Sequence, residues 1–96
     1  MTKEEILAKL KQHKSYMQQE FGVEKIGLFG SYARDEAQEE SDVDIYVYLQ
    51  KNDFMKIASL WNFLENLYHK KVDLYRENRF SKGAIHEVIK QETIFI

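Results

Sequence analysis

Gly30-Ser31-Tyr32-Ala33-Arg34 and, after a short acidic loop, Ser41-Asp42-Val43-Asp44-Ile45-Tyr46-Val47 decide how this chain is read. The first stretch closes an apolar run with a glycine and a hydroxyl. The second sets two carboxylates two residues apart at the start of a β-branched, aromatic run. In a strand, residues i and i+2 point to the same face, roughly 7 Å apart along the chain. Asp42 and Asp44 then project side by side, and Val43, Ile45, Val47 and Leu49 pack on the opposite face. Carboxylates held that close repel each other unless a cation neutralises them. A hard divalent ion such as Mg²⁺ is usually held by one or two carboxylates and completed by substrate phosphates. The exposed backbone N–H groups of a Gly-Ser turn can hold such phosphates.

Working outward, 96 residues suffice for one small domain with one core, so the expectation is a single domain over residues 1–96. The composition is 44% hydrophobic and 31% charged, that of a globular protein. A formal net charge of −2 gives no basic surface for direct nucleic-acid binding. With no cysteine, disulfides, thiolate metal sites and cysteine nucleophiles are excluded. Met1 to Glu5 carries no apolar leader, and no apolar run is long enough to span a bilayer. The expected location is cytoplasmic, without a membrane partner.

Thr2 to Glu5 fits a capping box. Ile6, Leu7, Leu10, Met17 and Phe21 follow at roughly helical spacing up to Gly22, so one helix is expected over Lys3 to Phe21. Val23 to Phe29 reads as a strand, Ser31 to Arg34 as a short helical turn, and Val43 to Leu49 as the clearest strand. Asn52 or Asp53 can cap a second long helix, whose apolar stripe is Phe54, Ile57, Trp61, Leu64 and Tyr68, with Trp61 in the core. Lys71 to Tyr75 is a third strand. Ser81 can cap a last helix, with Phe80 and Ile85 as a hydrophobic staple. Thr93 to Ile96 reads as an edge strand. The expected fold class is α/β, or α+β in two layers: a small mixed sheet with helices packed mainly on one face. The strands flanking the long helix are expected as parallel neighbours.

That arrangement lets Asp73 face the same side as Asp42 and Asp44. Three carboxylates opposite a Gly-Ser turn suit two-metal phosphoryl or nucleotidyl transfer. The combination of Gly30-Ser31-x-Ala33-Arg34, Ser41-Asp42-x-Asp44-x-x-Val47 and a later strand aspartate resembles the signature of the minimal nucleotidyltransferases of the DNA polymerase β superfamily. The resemblance covers nearly the whole chain.

It implies that Asp42, Asp44 and Asp73 are the catalytic carboxylates and hold Mg²⁺, two ions in all, with Asp73 also taking the proton of the acceptor hydroxyl. It implies that Gly30 and Ser31 meet the nucleotide's triphosphate and that Arg34 steadies the loop or reaches a phosphate. ATP is the implied substrate and AMP the transferred group. Asp35 departs from the pattern, since family members commonly carry glycine there; it adds negative charge near the triphosphate and removes backbone freedom. No acceptor-binding helical domain follows, so the acceptor surface is expected from elsewhere. Chains of this size resemble the antitoxin half of two-protein modules whose partner is a small helical HEPN protein, a toxic ribonuclease neutralised by AMP transfer to a tyrosine.

Two other readings remain open on sequence alone. One is a non-catalytic module that neutralises a helical partner by binding. The other is transfer to a small molecule of the aminoglycoside kind. A homo-oligomer would cover a face or edge that a small sheet leaves open. Arg34 is divided between a phosphate contact and a salt bridge with the acidic loop of Asp35, Glu36, Glu39 and Glu40, itself read as solvated. Tyr46 and Tyr48 either line the cleft or pack on the sheet. His13, His69 and His86 share no metal-ligand spacing and are expected at the surface.

Overall fold

The computed structural model describes residues 1–51, 53–78 and 81–96. The expectations for Asn52 as a cap and Phe80 as half of a staple lie outside these residues. The elements are α1 (Lys3–Gln12), α2 (Lys14–Phe21), β1 (Val23–Phe29), α3 (Gly30–Ala33), β2 (Val43–Leu49), α4 (Phe54–Tyr68), β3 (Val72–Glu77), α5 (Ala84–Glu92) and β4 (Ile94–Phe95). The four strands form one mixed sheet in the order β3-β2-β1-β4. β1 runs antiparallel to β2 and β4, and β2 runs parallel to β3 through the α4 crossover.

The period-two pattern of β2 decides the two faces. Val43, Ile45, Val47 and Leu49 enter the core with Ile26, Leu28 and Val72. α1, α2 and α4 cover that face with Ile6, Leu10, Met17, Phe21, Leu60, Leu64 and Tyr68. Burying a Leu or Ile of this kind contributes about 1.5–3 kcal/mol. α5 lies on the other face, where its His86 stacks on Tyr75 and approaches Tyr46. Among the described residues, no helix is long and apolar enough to cross a membrane.

The local signals at the N-terminus hold. Thr2 Oγ1 accepts from the Glu5 amide at 3.2 Å, and Glu5 Oε1 accepts from the Thr2 amide at 3.1 Å. Gly22 ends α2 at φ +70°. The expected single helix is nevertheless two. His13 leaves the helical conformation, its ring Nδ1 donates to the Lys9 carbonyl at 2.9 Å, and its ring meets Phe63 edge-on. A side chain that bonds back to the preceding turn competes with the regular ladder.

The stripe of α4 is shifted from its expected phase. Asp53 caps the helix through the Met55 and Lys56 amides, but Phe54 is 79% exposed and Leu60, not Trp61, enters the core. Trp61 sits at the rim and donates its indole N–H to the Val72 carbonyl at 2.6 Å, while Glu65 accepts from the Val72 amide at 3.0 Å. Those two bonds satisfy the outward main-chain groups at the start of edge strand β3. β3 itself starts one residue later than expected and ends two residues later. Ser81 does not cap α5: it closes a turn with Asn78, and Gly83 precedes the helix. His86 is also a correction, being buried rather than on the surface.

Burial pushes the Tyr68 hydroxyl well above its ordinary range, and that hydroxyl donates to the Ile6 carbonyl at 2.8 Å. Leu64→Ala should cost about 2–5 kcal/mol through transfer and cavity formation. Tyr68→Phe should cost about 0.5–1.5 kcal/mol through the lost hydrogen bond to the Ile6 carbonyl. Both are read as lower urea midpoints at unchanged slope.

Candidate active site

β1 delivers the chain to the site and Gly30 turns it. Phe29, the last residue of β1, pairs with Asp44 in β2, and Asp44 pairs with Asp73 in β3. The alternation of both parallel strands then puts Asp44 and Asp73 on one face, opposite the core, with Asp42 one step before β2. The expected juxtaposition of the three aspartates is therefore present. Asp42 and Asp44 are half-buried and Asp73 is exposed.

The turn packs directly on one of the carboxylates. Gly30 has φ +78°, and a Cβ placed there would lie 2.0 Å from Asp44 Oδ2. Only glycine combines that backbone conformation with that approach. Ser31 follows at the start of α3, and its carbonyl accepts from the Glu36 amide at 2.9 Å. Ser41 closes the acidic loop just before Asp42, accepting from the Gln38 amide at 2.8 Å.

Asp44 has its pKa raised from the ordinary 3.8 to about 6. Burial is the largest cause, then the negative charges of Asp73 and Asp42. Lys71 pairs loosely with Asp42, its Nζ 3.9 Å from Oδ2. Among the described residues no three His, Cys, Asp or Glu side chains converge into a ready-made cage. An open set of hard oxygen donors with excess negative charge fits a Mg²⁺ ion that takes the rest of its shell from water and phosphate.

Arg34 is close enough for its charge to offset part of the rise in the Asp44 pKa, and its own hydrogen bonds go to glutamates. Its Nε donates to Glu36 at 3.2 Å and its Nη1 to Glu92 at 2.6 Å. Arg34 forms the salt bridge with the acidic loop that was one of its two expected roles, and a second one to α5. Asp35 adopts φ +59°, the left-handed conformation that favours glycine and that Asp tolerates better than most residues. Its carboxylate pairs with Lys3 at 3.1 Å. Tyr46 is fully buried beneath Tyr75, His86 and Phe95, and its hydroxyl donates to Glu77, so it packs on the sheet. Tyr48 is half-buried, with the Lys25 ammonium over its ring.

Glu92 lies outside the sequence expectations. Its Oε1 accepts from the Gly30 amide and from Arg34, both at 2.6 Å. The available signal was a glutamate directly before the Thr93-Ile94-Phe95-Ile96 edge strand, which would reach the turn if that strand paired with Val23–Phe29.

A carboxyl whose folded pKa is raised stabilises the fold while protonated. Asp44's contribution is therefore present below about pH 4 and lost as pH rises through about 6. In metal-free buffer, Asp44→Asn should stabilise the protein at pH 7 by roughly 1–2 kcal/mol, allowing for partial solvent screening. The gain should fade toward pH 4 in thermal melts. Gly30→Ala should do the opposite, costing about 1–3 kcal/mol of backbone strain and displacing Asp44.

The polymerase β nucleotidyltransferase family matches residues 11–96. The protein adenylyltransferase MntA of Thermococcus cleftensis is 39% identical over 92 residues, covering 95% of this chain and 93% of that protein. A solved structure described as a candidate minimal nucleotidyltransferase superposes with a TM-score of 0.81 at 30% identity, covering 98% of this chain and 95% of that one. A chain in the complex of tri-AMPylated Shewanella oneidensis HEPN toxin with MNT antitoxin shares the fold, with a TM-score of 0.64 at 18% identity over 94% of this chain and 70% of that one. A family match that runs from residue 11 to the last residue, with a relative aligned almost end to end, places this chain among the polymerase β-type nucleotidyltransferases.

Proposed function

We propose that residues 1–96 act as one nucleotidyl-transfer domain that moves AMP from ATP to a hydroxyl, the acceptor being a tyrosine of a small helical HEPN-type protein. The observation that carries the chemistry is the contact of Gly30 with Asp44, which is itself in register with Asp73. Support for AMP comes from the relative named as a protein adenylyltransferase. Support for the acceptor comes from the structural neighbour in which the HEPN toxin carries AMP beside an MNT antitoxin.

In this reading the Ser31 hydroxyl and the amides of the turn hold the triphosphate. Asp42, Asp44 and Asp73 would hold Mg²⁺, which when bound neutralises phosphate charge and makes the acceptor hydroxyl more acidic. Asp73, the exposed member of the set, would take the hydroxyl proton. The hydroxyl oxygen bonds to the α-phosphorus, the α–β bridging bond breaks, and pyrophosphate leaves. Asp35 lends no weight to a binding module without chemistry, because its carboxylate is turned to Lys3 and its backbone already has the glycine-like conformation.

ATP labelled at the α-phosphate, with Mg²⁺ and the HEPN-type partner, should label the partner. Asp73→Asn should slow labelling by about 10²–10⁴-fold, the usual contribution of a positioned base. The pair Asp42→Asn with Asp44→Asn should abolish it, as should EDTA. Undiminished labelling by that pair, or a tight complex with no label, would overturn the proposal.

A further inference from the structure

Gly27 lacks a side chain where β4 crosses it: a Cβ there would lie 2.6 Å from the Ile94 carbonyl oxygen and 2.7 Å from Thr93 Cγ2. This close approach lets β4 pair with β1, Phe95 opposite Gly27 and Ile94 opposite Leu28. Continuing that antiparallel register by two residues puts Glu92 opposite Gly30. Glu92 is also the last residue of α5, so helix and strand together fix where its carboxylate lies. Its side chain is 24% exposed, and one oxygen takes both the Gly30 amide and Arg34 Nη1. Gly30 is thereby held on two sides, by Glu92 at its amide and by Asp44 at its α-carbon.

We propose that Glu92 is a positioning residue for nucleotide binding: through the Gly30 amide and Arg34 it sets the distance between the phosphate-holding turn and the aspartates. This rests on the nucleotidyl-transfer reading above. It also assigns the members of the turn different parts. The Gly30 amide is committed to Glu92, which leaves the amides from Ser31 onward and the Ser31 hydroxyl for phosphate. Arg34 acts on the turn rather than on the substrate. The bonds are charge-assisted and short, the class with the largest individual effect. A glutamine at position 92 keeps an acceptor oxygen for the Gly30 amide and loses the charge facing Arg34. An alanine loses both.

The test compares wild type, Glu92→Gln and Glu92→Ala by the Gly30 amide resonance, by Mg·ATP titration and by transfer kinetics. The Gly30 amide proton should move upfield in Glu92→Ala and much less in Glu92→Gln. KM for ATP should rise about tenfold or more in Glu92→Ala with a smaller change in kcat, and Glu92→Gln should recover part of that loss. Gly27→Ala, which pushes β4 outward without touching the turn, should raise KM in the same direction. Glu92→Ala binding Mg·ATP as tightly as wild type would overturn the inference. Tighter binding would overturn it too, making Glu92 a competitor for the phosphate position. If wild type itself binds no Mg·ATP, the nucleotidyl-transfer reading fails and this inference with it. Wild-type binding with indifferent variants sinks this inference alone.

Discussion

The register across three strands is the constraint on which the rest depends. Phe29 opposite Asp44, and Asp44 opposite Asp73, puts a turn, a half-buried carboxylate and an exposed carboxylate in one row. A slip of one residue in either ladder would turn an aspartate into the core and a valine toward the site. The core prevents that slip. Val43, Ile45 and Val47 are all fully buried against α1, α2 and α4, so the apolar face of β2 fixes the polar one. Most of the stabilising contacts lie on one side of the sheet and the charged row on the other. The charged row is unfavourable by itself, with Asp44 half-buried between two like charges. The helical layer offsets that cost.

Legibility from sequence followed how local each signal was. β2 was readable because period-two alternation is a property of the strand alone, and it carried Asp42 and Asp44 to their face. The capping box at Thr2 and Glu5, and Gly22 after Phe21, are likewise contained within one turn of chain. The parallel pairing that brings in Asp73 followed from the length of the α4 crossover. What escaped depends on partners distant in sequence. Leu60 rather than Trp61 faces the core because the indole N–H needs the Val72 carbonyl, a preference that spacing does not express. His86 is buried because Tyr75 waits beneath it on the sheet. Glu92 is separated from Gly30 by 62 positions, and the β1–β4 ladder and the end of α5 bring them together.

Asp35 shows how a carboxylate can be accommodated where the sequence resemblance leads one to expect glycine. The backbone at 35 keeps the left-handed conformation that explains a glycine at such a position. The added charge is directed to Lys3 on α1, away from the aspartate row. Asp35 therefore ties the loop to the first helix, a connection a glycine could not make.

The guarded start of β3 has a consequence for how copies of the protein meet. An edge strand offers a template on which another chain can add a strand and begin aggregation. Here Trp61 and Glu65 occupy both main-chain groups of Val72, so an incoming strand finds its first pairing position already filled. At the opposite edge, β4 is only two residues long, too short to seed an extended ladder. Sheet continuation from one molecule to the next is thus discouraged at the start of β3.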